Sequence, residues 1–501
     1  MRCPKSFLRP GLAAWVLAPM LLAGCGSAVL NPVTGQTERS VMSEASEIEE
    51  GRKAHAQVLQ EYGVVKDARV QAYVNGIGQR LAKLSHRQQL QWQFTVLDSP
   101  EINAFALPGG YVYVTRGIMA YMESEAELAG VIGHEIGHVT ARHGAQRATR
   151  QQDAGLGVLA ATLLGAVLES QGMAGAGQAV SQVSQTVASG YVASYGREQE
   201  LQSDQLGAEY LARNAYDPRN MIKVITTLKN QERFAADQAR AEGRAAPAQN
   251  AWLASHPSND QRLQMITQLA AKYSGPYSDE GRARYLQVIN GMAFGEAAEQ
   301  GVTRGQQFYH QPLGLALTAP AGWKIQNEAD QLTFISPARD VALVMKTVPA
   351  KAGTSHDDII RNVLKPSQGR TERLTINGLQ ATRFIGARAN AQGQLQALDV
   401  TLVNGPAGGV FLLSPVGRDA QALQRARFDL QSAQNSFRAL TAADQAAARP
   451  WVLKTVAYPR GGFAELARTS PLSQPEAQLR LINGFYGGGE PKAGQLVKAV
   501  E

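Results

Sequence analysis

Cysteine is almost absent from this sequence of 501 residues, which contains only Cys3 and Cys25. Everything after residue 25 therefore lacks a thiol. Disulfide bonds, cysteine-ligated metal sites and thiol nucleophiles are excluded from that part of the chain. Any metal held there must be bound by histidine and carboxylate side chains.

The sequence also lacks runs of like charge. Its 49 Lys and Arg residues outnumber its 42 Asp and Glu residues, but they are scattered and do not form the basic patches of nucleic-acid-binding surfaces. We therefore predict no nucleic-acid partner. A hydrophobic share of 44% and a charged share of 18% are typical of folded globular proteins, and the length predicts several domains.

The first residues have the pattern of an export signal. Basic residues precede the apolar stretch Gly11–Leu22, whose roughly 12 residues fall short of the ~20 that span a bilayer, so we predict a signal peptide at residues 1–24 and not a membrane anchor. Residues 22–25, Leu-Ala-Gly-Cys, resemble a bacterial lipobox, which implies cleavage before Cys25 and lipidation of Cys25. An ordinary secretory signal is the alternative. By the same resemblance, Gly26 in place of Asp implies a periplasmic protein anchored by its lipid to the outer membrane.

The strongest motif is H-E-x-x-H at His134–His138, inside an apolar pattern that predicts a helix from Ser124 to His143. The four-residue spacing places His134 and His138 on one helix face, where two imidazoles can reach a single Zn²⁺ ion about 2 Å away. Glu135 then flanks the metal and can take a proton from an activated water. The motif predicts one zinc ion per chain, with Glu135 as catalytic base.

Two histidines leave a tetrahedral zinc ion one protein ligand short. His143 does not have the metzincin spacing, and we interpret it as a polar residue at a helix C-terminus. Glu200 and Asp204 share one face of a helix predicted at Arg197–Arg213. We predict that Glu200 binds the metal and that Asp204 orients a ligand histidine from behind. A solvated acidic face is the alternative, and Glu198 competes for the same role.

Four glycines, at positions 130, 133, 137 and 144, follow one another at helical spacing around the motif. Each glycine costs a helix about 1 kcal/mol relative to alanine. We therefore expect another element to pack closely against this stripe of small residues.

These motifs, together with the segment Ile102–Gly110 before a strand, resemble the gluzincin metallopeptidases of family 48 over about residues 48–266. That family includes the CAAX prenyl endopeptidases, the HtpX-type proteases and periplasmic quality-control lipoproteins. The resemblance implies a mainly helical zincin domain with a small sheet. It implies the zinc ligands His134, His138 and Glu200, with Glu135 as base.

Two further site predictions come from the same resemblance. Some periplasmic members use a histidine in a segment like Ser255–Ser258 as a switchable zinc ligand, which carries over to His256. This residue would block the water site or stabilise an oxyanion, and an ordinary loop histidine is the alternative. Gluzincins also hold extended substrate against an edge strand, which implies substrate contacts by Tyr111, Val112 and Tyr113. A strand that is merely core is the alternative.

The whole sequence predicts an α+β multidomain protein. After a lipidated tether at residues 25–46, we expect the zinc metallopeptidase domain at residues 47–300. An α+β accessory domain, faintly similar to the small PsbP-type domains, follows at residues 306–442. Residues 450–501 show the order strand, helix, helix, strand, which is similar to a LysM module and implies contact with peptidoglycan. A structural cap is the alternative for this last module.

Three local interpretations complete the prediction. The charge-poor residues 154–196 indicate a buried helix or a mobile lid. The Ala-rich residues 235–248 indicate a loop, and Leu374–Phe384 indicates one strand.

Together these features predict a zinc-dependent endopeptidase that cleaves misfolded or stalled envelope proteins. The alternative is an envelope scaffold or a chaperone-like binding protein whose zinc site is closed by His256.

Overall fold

The computed structural model describes residues 27–150, 152, 195–241, 243, 251–257, 260–273, 275–277, 279–328, 331–389 and 393–501. The predicted signal peptide, Cys25 and nearly all of the predicted lid lie outside these residues. Membrane-spanning helices are absent from the part of the chain that the structure describes. The fold is α+β and multidomain, as predicted.

The first part of the chain is mainly helical. Its strands are β1 Ser27–Leu30, β2 Thr37–Ser40, β3 Gln93–Leu97, β4 Ala104–Leu107 and β5 Tyr111–Thr115. Its helices are α1 Glu44–Tyr62, α2 Ala68–Lys83, α3 Arg116–Tyr121, α4 Glu125–Thr140, α5 Arg197–Arg213, α6 Asn220–Ala241, α7 Ala251–Ser255, α8 Asp260–Lys272 and α9 Arg282–Ile289. Residues 143–150 are also helical.

The second part is richer in strands. They are β6 Ala293–Phe294, β7 Val302–Arg304, β8 Gln307–His310, β9 Leu315–Thr318, β10 Lys324–Asn327, β11 Gln331–Ile335, β12 Val341–Thr347, β13 Gln368–Ile376, β14 Leu379–Ala389, β15 Leu395–Asn404, β16 Val410–Gly417, β17 Arg438–Ala439, β18 Trp451–Ala457 and β19 Leu496–Val500. The helices are α10 His356–Ile359, α11 Ala420–Arg425, α12 Arg427–Asn435, α13 Asp444–Ala447, α14 Gly462–Ala467 and α15 Pro475–Ile482.

Two glycines of the stripe, Gly133 and Gly137, lie where helices α4 and α5 cross, while Gly130 faces Met221 of α6 and Gly144 faces Pro108. A Cβ atom added to Gly137 would lie 2.9 Å from the carbonyl oxygen of Ser203, and one added to Gly207 would lie 3.1 Å from the backbone nitrogen of His134. At Gly133 the added atom would lie 3.1 Å from the Leu211 side chain. The expected close packing is therefore confirmed. It brings the face of α5 that carries the two acidic residues against the histidines of α4.

The small sheet beside these helices has the order β3-β5-β4, with β5 parallel to β3 and antiparallel to β4. The strand that contains Tyr111, Val112 and Tyr113 is thus central, hydrogen-bonded on both sides and buried. The prediction that these residues bind substrate as an edge strand is wrong, because their main-chain groups are already paired within the sheet. The edge strand on the side of α4 is β4.

Two larger sheets follow. Strands β10-β11-β12-β16-β15-β14-β13 form a seven-stranded antiparallel sheet, and β17-β9-β8-β7 form a four-stranded sheet. The single strand predicted at Leu374–Phe384 is wrong, because Asn377 and Gly378 adopt positive φ angles of 46° and 82° and join β13 to β14 as a hairpin. The loop predicted from residue 235 is also wrong as far as Ala241, because helix α6 continues through this alanine-rich segment.

The strand, helix, helix, strand order predicted for residues 450–501 is confirmed by β18, α14, α15 and β19. Strand β18 pairs with β19 on one side and with β6 on the other. Phe463, Leu479 and Val497 are buried in the same hydrophobic cluster as Ile132 of helix α4. This last module therefore packs on the helical part of the molecule.

Lys498 of β19 lies at this contact and is fully buried. Its ammonium group donates hydrogen bonds to the carbonyls of Ala120 at 3.0 Å and Met122 at 2.7 Å, and it lies 2.8 Å from a carboxylate oxygen of Glu123. Burial lowers the pKa of Lys498. These acceptors come just before helix α4, so Lys498 connects the last module to the start of the motif helix.

We expect Lys498→Met to lower the free energy of unfolding by about 2–4 kcal/mol, because it leaves buried carbonyls and part of a carboxylate without their donor. Urea unfolding of the purified chain measures this loss. Lys492→Met, the same change at an exposed lysine of the same module, should alter stability by less than about 0.5 kcal/mol. Equal effects of the two changes would contradict a stabilising role for the buried lysine.

Candidate metal centre

Four buried side chains from three segments converge on one point. They are His134 and His138 of α4, Glu200 of α5 and His256, which follows α7. One donor atom from each lies within 4.8 Å of the others. The two Nε2 atoms of His134 and His138 are 3.0 Å apart, and the carboxylate oxygens of Glu200 lie 3.5 and 3.4 Å from them. Nδ1 of His256 is 3.0 Å from Glu200 and 3.3 Å from His134.

The chemistry of this donor set fits a metal ion. Burial keeps the pKa of His138 well below its ordinary value, so its Nε2 offers a lone pair to the centre. Burial alone would raise the pKa of Glu200, but His256 and the two other histidines hold it well below its usual range, so the carboxylate is ionised. Imidazole nitrogens and a carboxylate oxygen are the donor types that zinc binds in proteins, and here one atom of each side chain lies within reach of a common point. The cluster is therefore suited to hold a metal ion.

Asp204 lies behind the first histidine. Its Oδ1 is 2.9 Å from Nδ1 of His134, so the carboxylate can accept a hydrogen bond from that ring nitrogen. Burial opposes protonation of His134, but the two carboxylates of Asp204 and Glu200 raise its pKa to about 9. Asp204 lies one helical turn after Glu200 on helix α5. It contacts Nδ1 of His134, whereas Glu200 lies near Nε2 of the same ring.

Arg262 of helix α8 was missed by the sequence analysis. It donates to both carboxylate oxygens of Asp204 at 2.7 and 2.8 Å, and its Nη1 lies 2.9 Å from Glu200. The same Nη1 donates to the carbonyl of His256 at 3.1 Å. One buried guanidinium thus fixes the two acidic residues and the loop that carries the fourth donor. The sequence offered no signal for it beyond its place six residues after His256.

Glu135 lies beside the donors and not among them. Its Oε1 is 3.4 Å from the indole nitrogen of Trp252 and 3.5 Å from Nε2 of His256. Within the described residues, its other oxygen has no hydrogen-bond partner. Burial raises the pKa of Glu135, so the carboxyl is poised to hold a proton. Trp252, also missed by the sequence analysis, stacks on the His256 ring with centroids 5.0 Å apart.

His143 is placed differently from the prediction. Helix α4 ends at Thr140, and Arg142, with a φ of 59°, separates it from a new helical segment that begins at residue 143. The ring of His143 is buried behind His138, with their Nδ1 atoms 2.9 Å apart. The interpretation of His143 as a residue at the C-terminus of the motif helix is therefore wrong.

A small cleft lies next to strand β4 and the donor cluster. Its lining includes Ala106, Leu107 and Pro108 together with His138 and Tyr195. The Tyr195 ring lies over His138 with centroids 4.0 Å apart. Within the part of the chain that the structure describes, β4 is an edge strand, and the cleft lies between this strand and His138 of the donor cluster.

Comparison with known proteins gives one family. The model of peptidase family M48 matches residues 68–270. The beta-barrel assembly-enhancing protease of Escherichia coli (strain K12) is 28% identical over 236 residues, which are 46% of this chain and 47% of that protein. The protein of the same name from Yersinia pestis is 31% identical over 204 residues, 40% of this chain and 39% of that one. The mitochondrial metalloendopeptidase OMA1 of Schizosaccharomyces pombe is 30% identical over 217 residues, 42% of this chain and 58% of that one.

The chain spans about half the length of the curated relatives it matches. A solution structure of cyanobacterial PsbP from Synechocystis sp. PCC 6803 aligns with 28% of this chain and 95% of its own, at 11% identity and a TM-score of 0.21. That score is too low to argue a shared fold, so the PsbP-like domain stays a prediction. The resemblance predicted from the sequence is confirmed over residues 68–270, which match the model of peptidase family M48.

Proposed function

We propose that this protein is a zinc-dependent endopeptidase of the bacterial envelope that cleaves misfolded or stalled envelope proteins. The observation that carries the proposal is the convergence of His134, His138 and Glu200 from two crossing helices, with Glu135 beside them. The names of two relatives refer to the assembly of β-barrels. Envelope proteins that stall during assembly are therefore the substrate class we propose.

Each residue of the site has a separate task in this proposal. His134, His138 and Glu200 hold one zinc ion, and Asp204 keeps the ring of His134 in the tautomer that presents Nε2 to it. A bound zinc ion supplies Lewis acidity, which makes water nucleophilic near neutral pH and polarises a peptide carbonyl. Glu135 accepts the proton of the attacking water and passes it to the leaving amine.

Strand β4 supports a role in holding the substrate. It is an edge strand among the described residues, and an extended polypeptide can add to such an edge through main-chain hydrogen bonds, which accept almost any sequence. The cleft beside β4 would lead such a chain past His138 and Tyr195. Broad specificity for unfolded protein follows from this mode of binding.

His256 gives the site a closed state. Its Nδ1 lies beside the other donors, so the chain offers four protein ligands, which would together fill the positions of a tetrahedral zinc ion and would exclude water from it. We propose that cleavage requires His256 to leave this position. The proposed peptidase is therefore held inactive until its substrate or another signal displaces the loop.

The remaining predictions on location and architecture form part of the same proposal. A lipid on Cys25 would hold the protein at the periplasmic face of the outer membrane, and the domain boundaries remain those predicted at residues 47–300, 306–442 and 450–501. Contact of the last module with peptidoglycan also stays a prediction. Its packing against the motif helix supports the alternative reading as a structural cap.

The test is to incubate the purified full chain with a permanently unfolded polypeptide. We expect fragments that accumulate with time, stop accumulating when a zinc chelator is added and resume when zinc is restored. Fragments that continue to accumulate in the presence of the chelator would point to a contaminating peptidase. Binding of the polypeptide without cleavage, in the presence of stoichiometric zinc, would favour the scaffold alternative.

A further inference from the structure

A line of buried hydrogen bonds leads away from the metal centre on the side of His138. Its ring Nδ1 lies 2.9 Å from Nδ1 of His143, and Nε2 of His143 lies 3.1 Å from Oε1 of Gln202. The side chain of Asn31 donates to the same oxygen of Gln202 at 3.1 Å. His143, Gln202 and Asn31 are all buried. The line therefore connects the site to Asn31, which precedes Gln202 by 171 positions in the chain.

The direction of each hydrogen bond follows from the chemistry of the groups. If Nε2 of His138 binds a cation, its proton is on Nδ1, and this N–H must donate to Nδ1 of His143. His143 then carries its own proton on Nε2 and donates to Gln202. Gln202 presents its carbonyl oxygen there, because Asn31 donates to that oxygen too. Ser203 Oγ is the other group near Nδ1 of His143, at 3.4 Å.

Asn31 is itself held firmly. Its carbonyl oxygen accepts from the backbone nitrogens of Val33 at 2.9 Å and Thr34 at 3.3 Å, and its amide also donates to Glu38 at 2.8 Å. These contacts belong to the hairpin formed by β1 and β2. A fixed donor on this hairpin thus determines which way the amide of Gln202 faces.

We propose that His143 is a positioning residue that keeps His138 in its metal-binding tautomer, and that the hairpin Ser27–Ser40 supports it through Asn31 and Gln202. The inference rests on the metal-binding role proposed above. The two ligand histidines would then differ, since His134 is backed by the carboxylate of Asp204 and His138 by a neutral imidazole. Partners of this kind typically change metal affinity by 10- to 100-fold when they are removed.

The experiment measures the rate at which the full-length protein loses zinc to an excess of a chromophoric chelator. We expect His143→Leu, which removes the acceptor, to lose zinc about 10- to 100-fold faster than the unchanged chain. His143→Asn keeps an acceptor oxygen near the position of Nδ1, and its rate should stay near that of the unchanged chain. Gln202→Leu should give an intermediate rate, and Ser203→Ala should change little.

The outcomes separate three conclusions. Equal rates for the unchanged chain and His143→Leu, or equally fast loss from His143→Leu and His143→Asn, would overturn the positioning role. If His143→Leu does not fold, the rates of zinc loss from His143→Asn and Gln202→Leu are compared instead. Equal rates for these two variants would overturn the positioning role. Asn31→Leu should accelerate zinc loss less than Gln202→Leu, and no acceleration would remove the hairpin from the proposal. If the unchanged chain binds no zinc at all, the proposed function fails instead.

Discussion

Glu135→Gln is expected to lower kcat/KM for an unfolded polypeptide on the order of 10³-fold while leaving the zinc content unchanged. The amide has the shape of the carboxylate but cannot accept a proton from water. Glu135 is not one of the four converging donors, so its loss should not release the metal. Burial raises the pKa of Glu135, and an uncharged side chain should therefore be tolerated there without unfolding. Rates of fragment release and metal analysis of the same samples measure the two effects.

Glu127→Gln is the matched control for this experiment. Glu127 lies on the same helix, is buried, and has a pKa raised to about 7, mainly by burial and then by the charge of Glu123. The change is chemically identical but lies two turns away from the donors, so cleavage should continue. If Glu135→Gln cleaves as fast as Glu127→Gln, the proposed catalytic base is incorrect.

His256→Ala is expected to raise the rate of cleavage at saturating zinc. With His256 in place the chain offers four donors, and under the proposed closed state a water molecule would bind only after that ring has moved away. The increase should be roughly tenfold if the open state accounts for about one molecule in ten of the unchanged protein. The measurement is the initial rate of fragment release, with zinc affinity determined alongside because one donor is lost.

Pro257→Ala provides the control, since it alters the same loop at an exposed residue and keeps the imidazole. Its rate should stay near that of the unchanged chain. A lower rate for His256→Ala with zinc retained would mean that His256 stabilises the reacting oxyanion, and an unchanged rate would make it an ordinary loop histidine. Either result contradicts the closed state proposed here.

The site residues that could be predicted from the sequence are those that belong to a local spacing pattern. His134 and His138 stand one helical turn apart, and so do Glu200 and Asp204, so each pair could be assigned to one helix face before the helices were placed. The glycine stripe also indicated that a second helix would approach. Metal chemistry then required the two faces to meet.

The residues that were missed act across the tertiary structure. Arg262 contacts Asp204 from 58 positions away, and Asn31 contacts Gln202 from 171 positions away. Arginine, asparagine and glutamine are common on protein surfaces, so nothing in their local sequence distinguishes a buried partner from a solvated one. Trp252 was missed because its contact with Glu135 spans 117 positions of the chain, which no local pattern reveals.

The errors in the fold have a similar cause. Alternation of side chains identified the strand at residues 111–115, but the order of strands in a sheet is not local, so its central position could not be read from the pattern. The two-residue strand β6 is too short to be recognised alone and is defined only by its pairing with β18. By contrast, the turn at Asn377 and Gly378 carries a recognisable signature that was available in the sequence.

The pairing of Phe294 with Trp451 means that the chain departs from the helical domain and returns to it at adjacent strands, which lie about 4.8 Å apart. Residues 295–450 thus form an insertion whose two ends lie close together. A short turn could replace this insertion while β6 and β18 stay paired. Truncation after residue 305 would have a different effect. It would also remove β18, β19 and the apolar side chains that pack in one hydrophobic cluster with the motif helix.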